Sequence, residues 1–389
     1  MLLVEKTHPS VTFVILMPFL VFAISLIIFS TSYLGYFGYI RYMTKKTWNL
    51  KNDETYQPLV SILVPTHNEE DNIKKKLMNI AAVSYPKEKI EIIVVDDASE
   101  DATLTAVENF VAGNPESNVK IVKQNQHSGK SAALNKALPL SNGSVVIVSD
   151  ADTLWSSDIL TKALPYMADP CVGAVTGRGI NENKDASWVT TAEDTYLNLT
   201  TLIRFGESKI HSTIRFEGGF CAYRKGAFTE FDCETGSDDS GTALDVVQHN
   251  RRAILLPEVI FSTFFPATLS GKFKTKVRRA SQLITLWVKC LRLMMHRQLV
   301  LPKRIAVPEI ILFIFNPFIF FIMLVTAPII VIVSPLSFFS VSILLSVAVL
   351  LVFVRRLFFE VVFDNFILFY AFFSILFGQN YTAWQKTRI

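Results

Sequence analysis

Two aspartates one residue apart, Asp150 and Asp152, end the apolar run VVIVSDADT between Val145 and Thr153. An unpaired buried charge is expensive, so a strand that closes this way needs something to answer its acids. A second pair, Asp96 and Asp97, ends IEIIVVDD. Four carboxylates gathered on one sheet edge repel one another unless a cation or hydrogen-bond donors neutralise them. Hard divalent ions take oxygen ligands and bridge carboxylates to phosphates. The pattern therefore predicts that Asp150 and Asp152 hold Mg2+ or Mn2+ against a diphosphate.

The elements that must position these acids follow from periodicity. Short apolar, β-branched runs, LVSILVPT, IEIIVVDD, NVKIVKQ and SVVIVSD, alternate with helical patterns over roughly 69–82, 101–112 and 130–138. That alternation predicts a mostly parallel α/β sheet covered on both faces. In such sheets ligands bind beyond the carboxyl ends of the strands, where PTHNEE, DDASEDAT and DAD stand. Asn68 is expected to cap a helix whose first turn holds Glu69, Glu70 and Asp71. Ser99, Asp101 and Glu70 are read as helix caps.

Half of the 389 residues are hydrophobic, and they are concentrated at the two ends. Residues 11–40 carry no charge. A membrane-spanning helix needs about 20 apolar residues, and this run, behind Lys6, is too long for a secretory leader. Residues 305–333, 336–354 and 357–378 form three further apolar stretches, the last holding Glu360 and Asp364. The expected organisation is an N-terminal span (1–40), a soluble catalytic domain (41–271), a basic amphipathic interfacial helix (272–304) and a region of two or three spans (305–389). Arg41, Lys45, Lys46, Lys303, Arg304, Arg355 and Arg356 flank the spans and predict a cytoplasmic catalytic domain in an integral protein of the cell membrane. Lys386 and Arg388 argue mildly against exporting the tail. The net charge of +4 lies largely at these flanks, so no nucleic-acid partner is expected. The four cysteines lack a CxxC pair and read as reduced thiols. His67 and His127 read as polar loop residues, and Glu193-Asp194 as acids on a helix that either reach the acceptor or form part of a solvated helical face.

VSILVPTHNEEDNI, IEIIVVDDASEDAT, HSGKSAALNKAL and VVIVSDADT, in this order, resemble the GT-A domain of inverting glycosyltransferase family 2, which includes cellulose, chitin, hyaluronan and poly-N-acetylglucosamine synthases and lipid-linked sugar transferases. FEGGFCAYRKGAF and GSDDSGTALDVVQHNRRAILLPEV extend the resemblance to about residue 279. It implies a membrane-bound inverting transferase using a UDP- or GDP-sugar and a lipid-linked or polysaccharide acceptor. By the resemblance, Asp96 and Asp97 would contact the nucleotide, with Pro65, Thr66 and Glu69 in the same pocket. Lys130 would lie near the donor, Asp150 and Asp152 would serve the metal and diphosphate, and Gly218 and Gly219 would let backbone approach the sugar. Asp239, beside Asp238, would be the general base. A tight bend is the other account of the two glycines.

The family's membrane synthases carry Gln-x-x-Arg-Trp on an interfacial helix, whereas this chain has TKVRRASQ. Arg278 can replace the arginine, but Thr275 and Arg279 stand for the glutamine and tryptophan, which puts processive polymer synthesis in doubt and makes single-sugar transfer a competitor. Two readings from other classes are a catalytically silent membrane assembly protein and a nucleotidyltransferase. Against the latter stands PTHNEED, which lacks a glycine-rich phosphate loop.

Overall fold

The computed structural model describes residues 9–379, so Lys6, Lys386 and Arg388 lie outside the described residues. Helix α1 (Pro9–Ser30) runs through a π-helical turn (Thr31–Gly35) into α2 (Tyr36–Thr44). The central region then follows as β1 (Val60–Thr66), α3 (Ile73–Ala81), β2 (Ile90–Asp96), α4 (Thr103–Gly113), β3 (Val119–Lys123), α5 (Lys130–Ala137) and β4 (Val145–Val148). It continues with β5 (Leu154–Trp155), α6 (Ile159–Ala163), β6 (Val172–Asn181), α7 (Trp188–Ile210), β7 (Cys221–Arg224), α8 (Asp238–Gln248) and β8 (Arg252–Thr263). Helix α9 (Leu269–Met295) leads to α10 (Lys303–Ile310), a second π-helical turn (Ile311–Phe315), α11 (Asn316–Val333), α12 (Phe338–Phe353) and α13 (Arg355–Leu376).

The strands form one sheet in the order β3-β2-β1-β4-β7-β6-β8-β5. Strands β1 to β4 pair in parallel, as their near-continuous apolar sequences require. Strand β7 runs antiparallel between β4 and β6. Alternate residues face opposite layers. Ile62, Val64 and Val94 pack with Ile73, Leu77 and Val107 of α3 and α4. Leu63, Ile93 and Val95 pack with Leu134, Leu244 and Trp287 of α5, α8 and α9. The register sets Thr66 opposite Asp96 and Leu63 opposite Val148, so the acidic loops after β1, β2 and β4 emerge along one edge.

Three helical stretches, Leu16–Thr44, Lys303–Val333 and Arg355–Leu376, are long and apolar enough to cross a membrane, and Phe338–Phe353 is a shorter apolar helix. Two asparagines tie the bundle at the first π-helical turn: the amide of Asn316 donates to Ser32 Oγ at 2.7 Å and that of Asn365 to Tyr33 Oη at 3.2 Å. Such bonds hold helices together where apolar burial offers no driving force.

The basic face of α9 does not lie open. Lys272 and Lys276 are buried and turn inward to Glu193 of α7 and Glu360 of α13, with Asp364 2.7 Å from Lys276. Glu193 is fully buried there, not on a solvated face. Apolar Val277, Ala280 and Ile284 pack with Ile367, Leu368 and Ala371 of α13.

Candidate active site

The turns after β1 and β2 both pass through a left-handed residue, Asn68 at φ 57° and Ala98 at φ 56°. Such positive φ is uncommon outside glycine, and here it folds the two loops against each other. Ser99 Oγ accepts from Asn68 N at 3.0 Å, and Asn68 Oδ1 accepts from Glu100 N at 2.9 Å. Asn68 thus cross-links loops and caps no helix, since α3 begins only at Ile73. Asp101 and Glu70 do act at a helix start, their carboxylates accepting from Thr103 N and Ala102 N at 2.9 Å each.

Asp97 is fully buried, and its carboxylate accepts from Gln124 Nε2, Ser128 N and Gly129 N at 2.8–2.9 Å, with His127 Nδ1 2.9 Å away. His127 stacks on His67 at 4.1 Å. Asp96 differs: Oδ2 accepts from Ser99 N at 3.3 Å, while buried Oδ1 has no hydrogen-bond partner.

Lys130, the first residue of α5, stands at the centre. Its ammonium lies 2.7 Å from Asp150 Oδ1 and 3.0 Å from Asp238 Oδ2. Burial would lower its pKa, but Asp150, Asp238 and Asp239 together raise it well above the ordinary lysine value, so it stays charged. Burial pushes the Asp150 carboxyl up, and the Lys130 ion pair overrides this and leaves it below the usual range. Asp238 is pushed up to about 6, first by burial and then, against Lys130, by Asp239 and Asp150. Asp152 is reached by solvent across the open cavity yet sits deep among protein atoms. That recess, and then the charge of Asp150, hold it above the carboxylate range. Asp239 Oδ1 accepts from Ser237 Oγ at 2.5 Å and Ser240 N at 2.6 Å, which fixes the carboxylate at the start of α8.

A β-carbon at Gly218 would come within 2.5 Å of Asp150 Oδ2 and 2.8 Å of Lys130 Nζ, and one at Gly219 would enter the Phe261 ring. Neither glycine has positive φ. The two glycines also form the middle of a turn that Phe220 N closes on the Glu217 carbonyl at 3.3 Å, so the bend and the close approach are both present. The Gly219 carbonyl accepts from Trp155 Nε1 at 2.7 Å and Ser149 Oγ at 3.0 Å.

One cavity of about 2520 Å³ gathers Asp150, Asp152, Lys130, Gly218 and Gly219. Asp238, Asp239, Arg278 and Glu69 line it too, as do Thr275 and Arg279. Pro65, Thr66, Asp96 and Asp97 are buried behind this wall and are not part of its lining. Its volume exceeds the roughly 300–1,000 Å³ of a single small-ligand pocket, so it has room for two substrates. Among the described residues no group of three His, Cys, Asp or Glu forms a closed metal cage. Two carboxylates at the cavity wall fit an ion that keeps waters and takes its other ligands from substrate phosphates.

Several contributors are not apparent from spacing. Lys76 is fully buried, donates to the Thr153 carbonyl at 3.0 Å and lies 4.2 Å over the Trp155 ring, directly behind the Asp150–Asp152 turn. It hides in a run of three lysines, and only its place on the Ile73, Leu77, Ile80 face could have marked it. Arg204, Arg215, Glu217 and Glu309 also line the cavity, as does Glu193, whose reach toward the acceptor is one of its two readings from sequence. Of the first four, Glu309 is the one with a legible signal, a lone acid in an apolar stretch.

Residues 61–231 match the family described as Glycosyl transferase family 2. An N-acetylglucosaminyltransferase of Bradyrhizobium elkanii is 34% identical over 135 residues, 34% of this chain and 72% of that protein. A poly-beta-1,6-N-acetyl-D-glucosamine synthase of Staphylococcus aureus (strain MSSA476) is 26% identical over 245 residues, 62% of this chain and 58% of the synthase. The chain spans 29% and 50% of the lengths of two further curated relatives. Among solved structures, the mannosyltransferase PcManGT from Pyrobaculum calidifontis, in complex with GDP-Man and Mn2+, has a TM-score of 0.78 at 28% identity and covers 92% of this chain and 100% of that one.

Proposed function

This chain belongs to glycosyltransferase family 2, and from that premise we propose that it is a membrane-embedded inverting enzyme, moving a sugar from a UDP- or GDP-sugar to a polysaccharide or lipid-linked acceptor. Its mixed sheet is the GT-A, Rossmann-like fold, and the chain is a glycosyltransferase. The observation that carries the finer reading is the Lys130 bridge: one ammonium between Asp150, on the donor side, and Asp238, next to Asp239 at the head of α8.

Inversion is an in-line displacement at the anomeric carbon, so the attacking hydroxyl must lose its proton to a carboxylate on the acceptor side. Asp239, held at Oδ1 by two donors, takes that proton. The leaving nucleoside diphosphate gathers negative charge, which Lys130 and Arg278 offset from the cavity wall. When bound, a divalent ion held by Asp150 and Asp152 supplies further positive charge there. Gly218 keeps the wall thin beside Asp150. Asp96, with one orphaned oxygen, is the better candidate of its pair for the nucleotide, because Asp97 is already saturated by its loop. The family assignment sets the nucleotidyltransferase reading aside, and the shared cavity of the catalytic acids argues against a silent assembly module.

The spanning helices, and Arg41, Lys45, Lys303, Arg304, Arg355 and Arg356 near their ends, support a cytoplasmic catalytic domain. The solved mannosyltransferase with GDP-Man and Mn2+ supports a metal-dependent nucleotide-sugar donor. Membranes holding the full chain, given labelled UDP- and GDP-sugars with Mn2+ or Mg2+, should release nucleotide and transfer label. Asp239→Asn should lose at least about 100-fold in transfer while still binding donor; full transfer by this variant removes Asp239 as the base. Asp152→Ala should weaken metal-dependent nucleotide binding, and an unchanged metal titration rejects that assignment.

A further inference from the structure

The cavity opens on one side into the helical bundle, past Leu26 of α1, Phe320 of α11 and Ile343 of α12. Its wall at Asp150 and Asp152 is backed by a side chain that the transfer chemistry above does not use. Lys76 has no exposed surface and projects from the apolar face of α3, with Ile73, Leu77 and Ile80. Among the described residues it has no ion-pair partner. Lysine is almost never fully buried without one, and a methionine would lie there without the cost of stripping water from an ammonium.

What the amine does touch is the turn that carries the two aspartates. It donates to the Thr153 carbonyl at 3.0 Å and lies 4.2 Å over the Trp155 ring. Thr153 closes the turn, its Oγ1 donating to the Asp150 carbonyl at 3.0 Å, while Asp150 N donates to the Gly218 carbonyl at 3.0 Å. Trp155 Nε1 donates to the Gly219 carbonyl at 2.7 Å. Asn79, one turn further along α3, brackets the Trp155 backbone, accepting from its N–H at 2.8 Å and donating to its carbonyl at 2.9 Å. Residues 150–155 are therefore held between the glycine segment on one side and α3 on the other. Burial pulls the Lys76 pKa down to about 7 while Asp150 and Asp152 pull it up, but the bond to Thr153 forms whether the amine is charged or neutral.

Carboxylates that share an ion depend on the groups that fix their backbone. Resting on the metal-assisted reading above, we propose that Lys76 is a positioning residue for the donor site. Its bond to Thr153 sets the turn so that Asp150 and Asp152 meet a divalent ion and diphosphate together, and the fold gives up stability to keep it.

The test is Lys76→Met in the full chain in detergent, with Lys74→Met, an exposed lysine of the same helix, matching the change in net charge. Without metal, Lys76→Met should melt no lower than wild type, because it removes a desolvated amine. Its affinity for Mn2+, read by electron paramagnetic resonance with UDP or GDP present, should nevertheless fall about tenfold, and kcat with it. Lys74→Met should match wild type in all three measurements. A lower Tm for Lys76→Met would make Lys76 a merely structural residue. Unchanged Mn2+ binding would mean that the turn needs no tether, and tighter binding that the ammonium acts by repelling the ion; each of these overturns the proposal. Mn2+ that binds neither wild type nor variant, with or without nucleotide, overturns instead the metal-assisted reading on which it rests.

Discussion

At the scale of single residues, adjacent aspartates of one motif have different duties. Asp97 accepts from three donors of the 124–129 loop, so Asp97→Asn places an amide against backbone N–H groups. Its expected result is an apparent Tm lower by about 4–8 °C, from a cost of roughly 2 kcal/mol. Asp96→Asn should leave Tm near wild type and raise the donor KM by about 10- to 100-fold, the worth of a hydrogen bond to a charged group. If the two variants exchange these phenotypes, the division of labour drawn here is wrong. Gly218→Ala puts a methyl against Asp150 and Lys130 and should cost about 100-fold in kcat, with the protein still folded by thermal melting. Asp150, Asp152 and Asp239 were legible because few structural duties demand charge at a strand end or helix start. Nothing in the spelling DD separates Asp96 from Asp97, since the distinction lies in which backbone donors the fold brings within reach.

Among elements, the join between α7, α9 and α13 is the one whose character depends most on packing. Lys272, Lys276, Glu193, Glu360 and Asp364 meet there almost without solvent. Removing one partner strands the others, whereas removing opposite charges together is tolerated far better. Glu360→Leu should lower the apparent Tm in detergent by on the order of 10 °C, and adding Lys272→Met should recover part of that loss. A double variant no better than the single one would mean that Glu360 acts through packing alone. The basic rhythm of 272–297 announced a helix, but not that two of its lysines would be swallowed by carboxylates from elements some 80 residues away in either direction. The strands were easier to read, because parallel strands covered on both faces must be apolar throughout.

For the whole molecule, His211 marks the place where the catalytic domain meets the bundle. It follows α7, its carbonyl accepts from Arg252 Nε at 2.8 Å, and Arg304 reaches the neighbouring Ile210 carbonyl at 3.4 Å. Burial, then Arg252 and Arg304, hold its imidazole below the ordinary histidine value. The folded state thus resists a proton that the unfolded chain accepts, so stability falls as the pH drops below about 6.5. The Tm difference between wild type and His211→Gln should shrink or reverse from pH 7.5 to 5.5; a constant difference would show that His211 does not titrate in this window.

The sequence by itself determined the chemistry on offer and which helices are long and apolar enough to cross a membrane. Strand-end acids need counter-charge, and uncharged runs of more than 20 residues need lipid or protein around them. Only the tertiary structure decided that Asp150 and Asp238, 88 positions apart, share one lysine, and that the catalytic cavity opens into the helical bundle. Local patterns record what each residue can do, but which charges neutralise one another depends on distances that long-range packing alone sets.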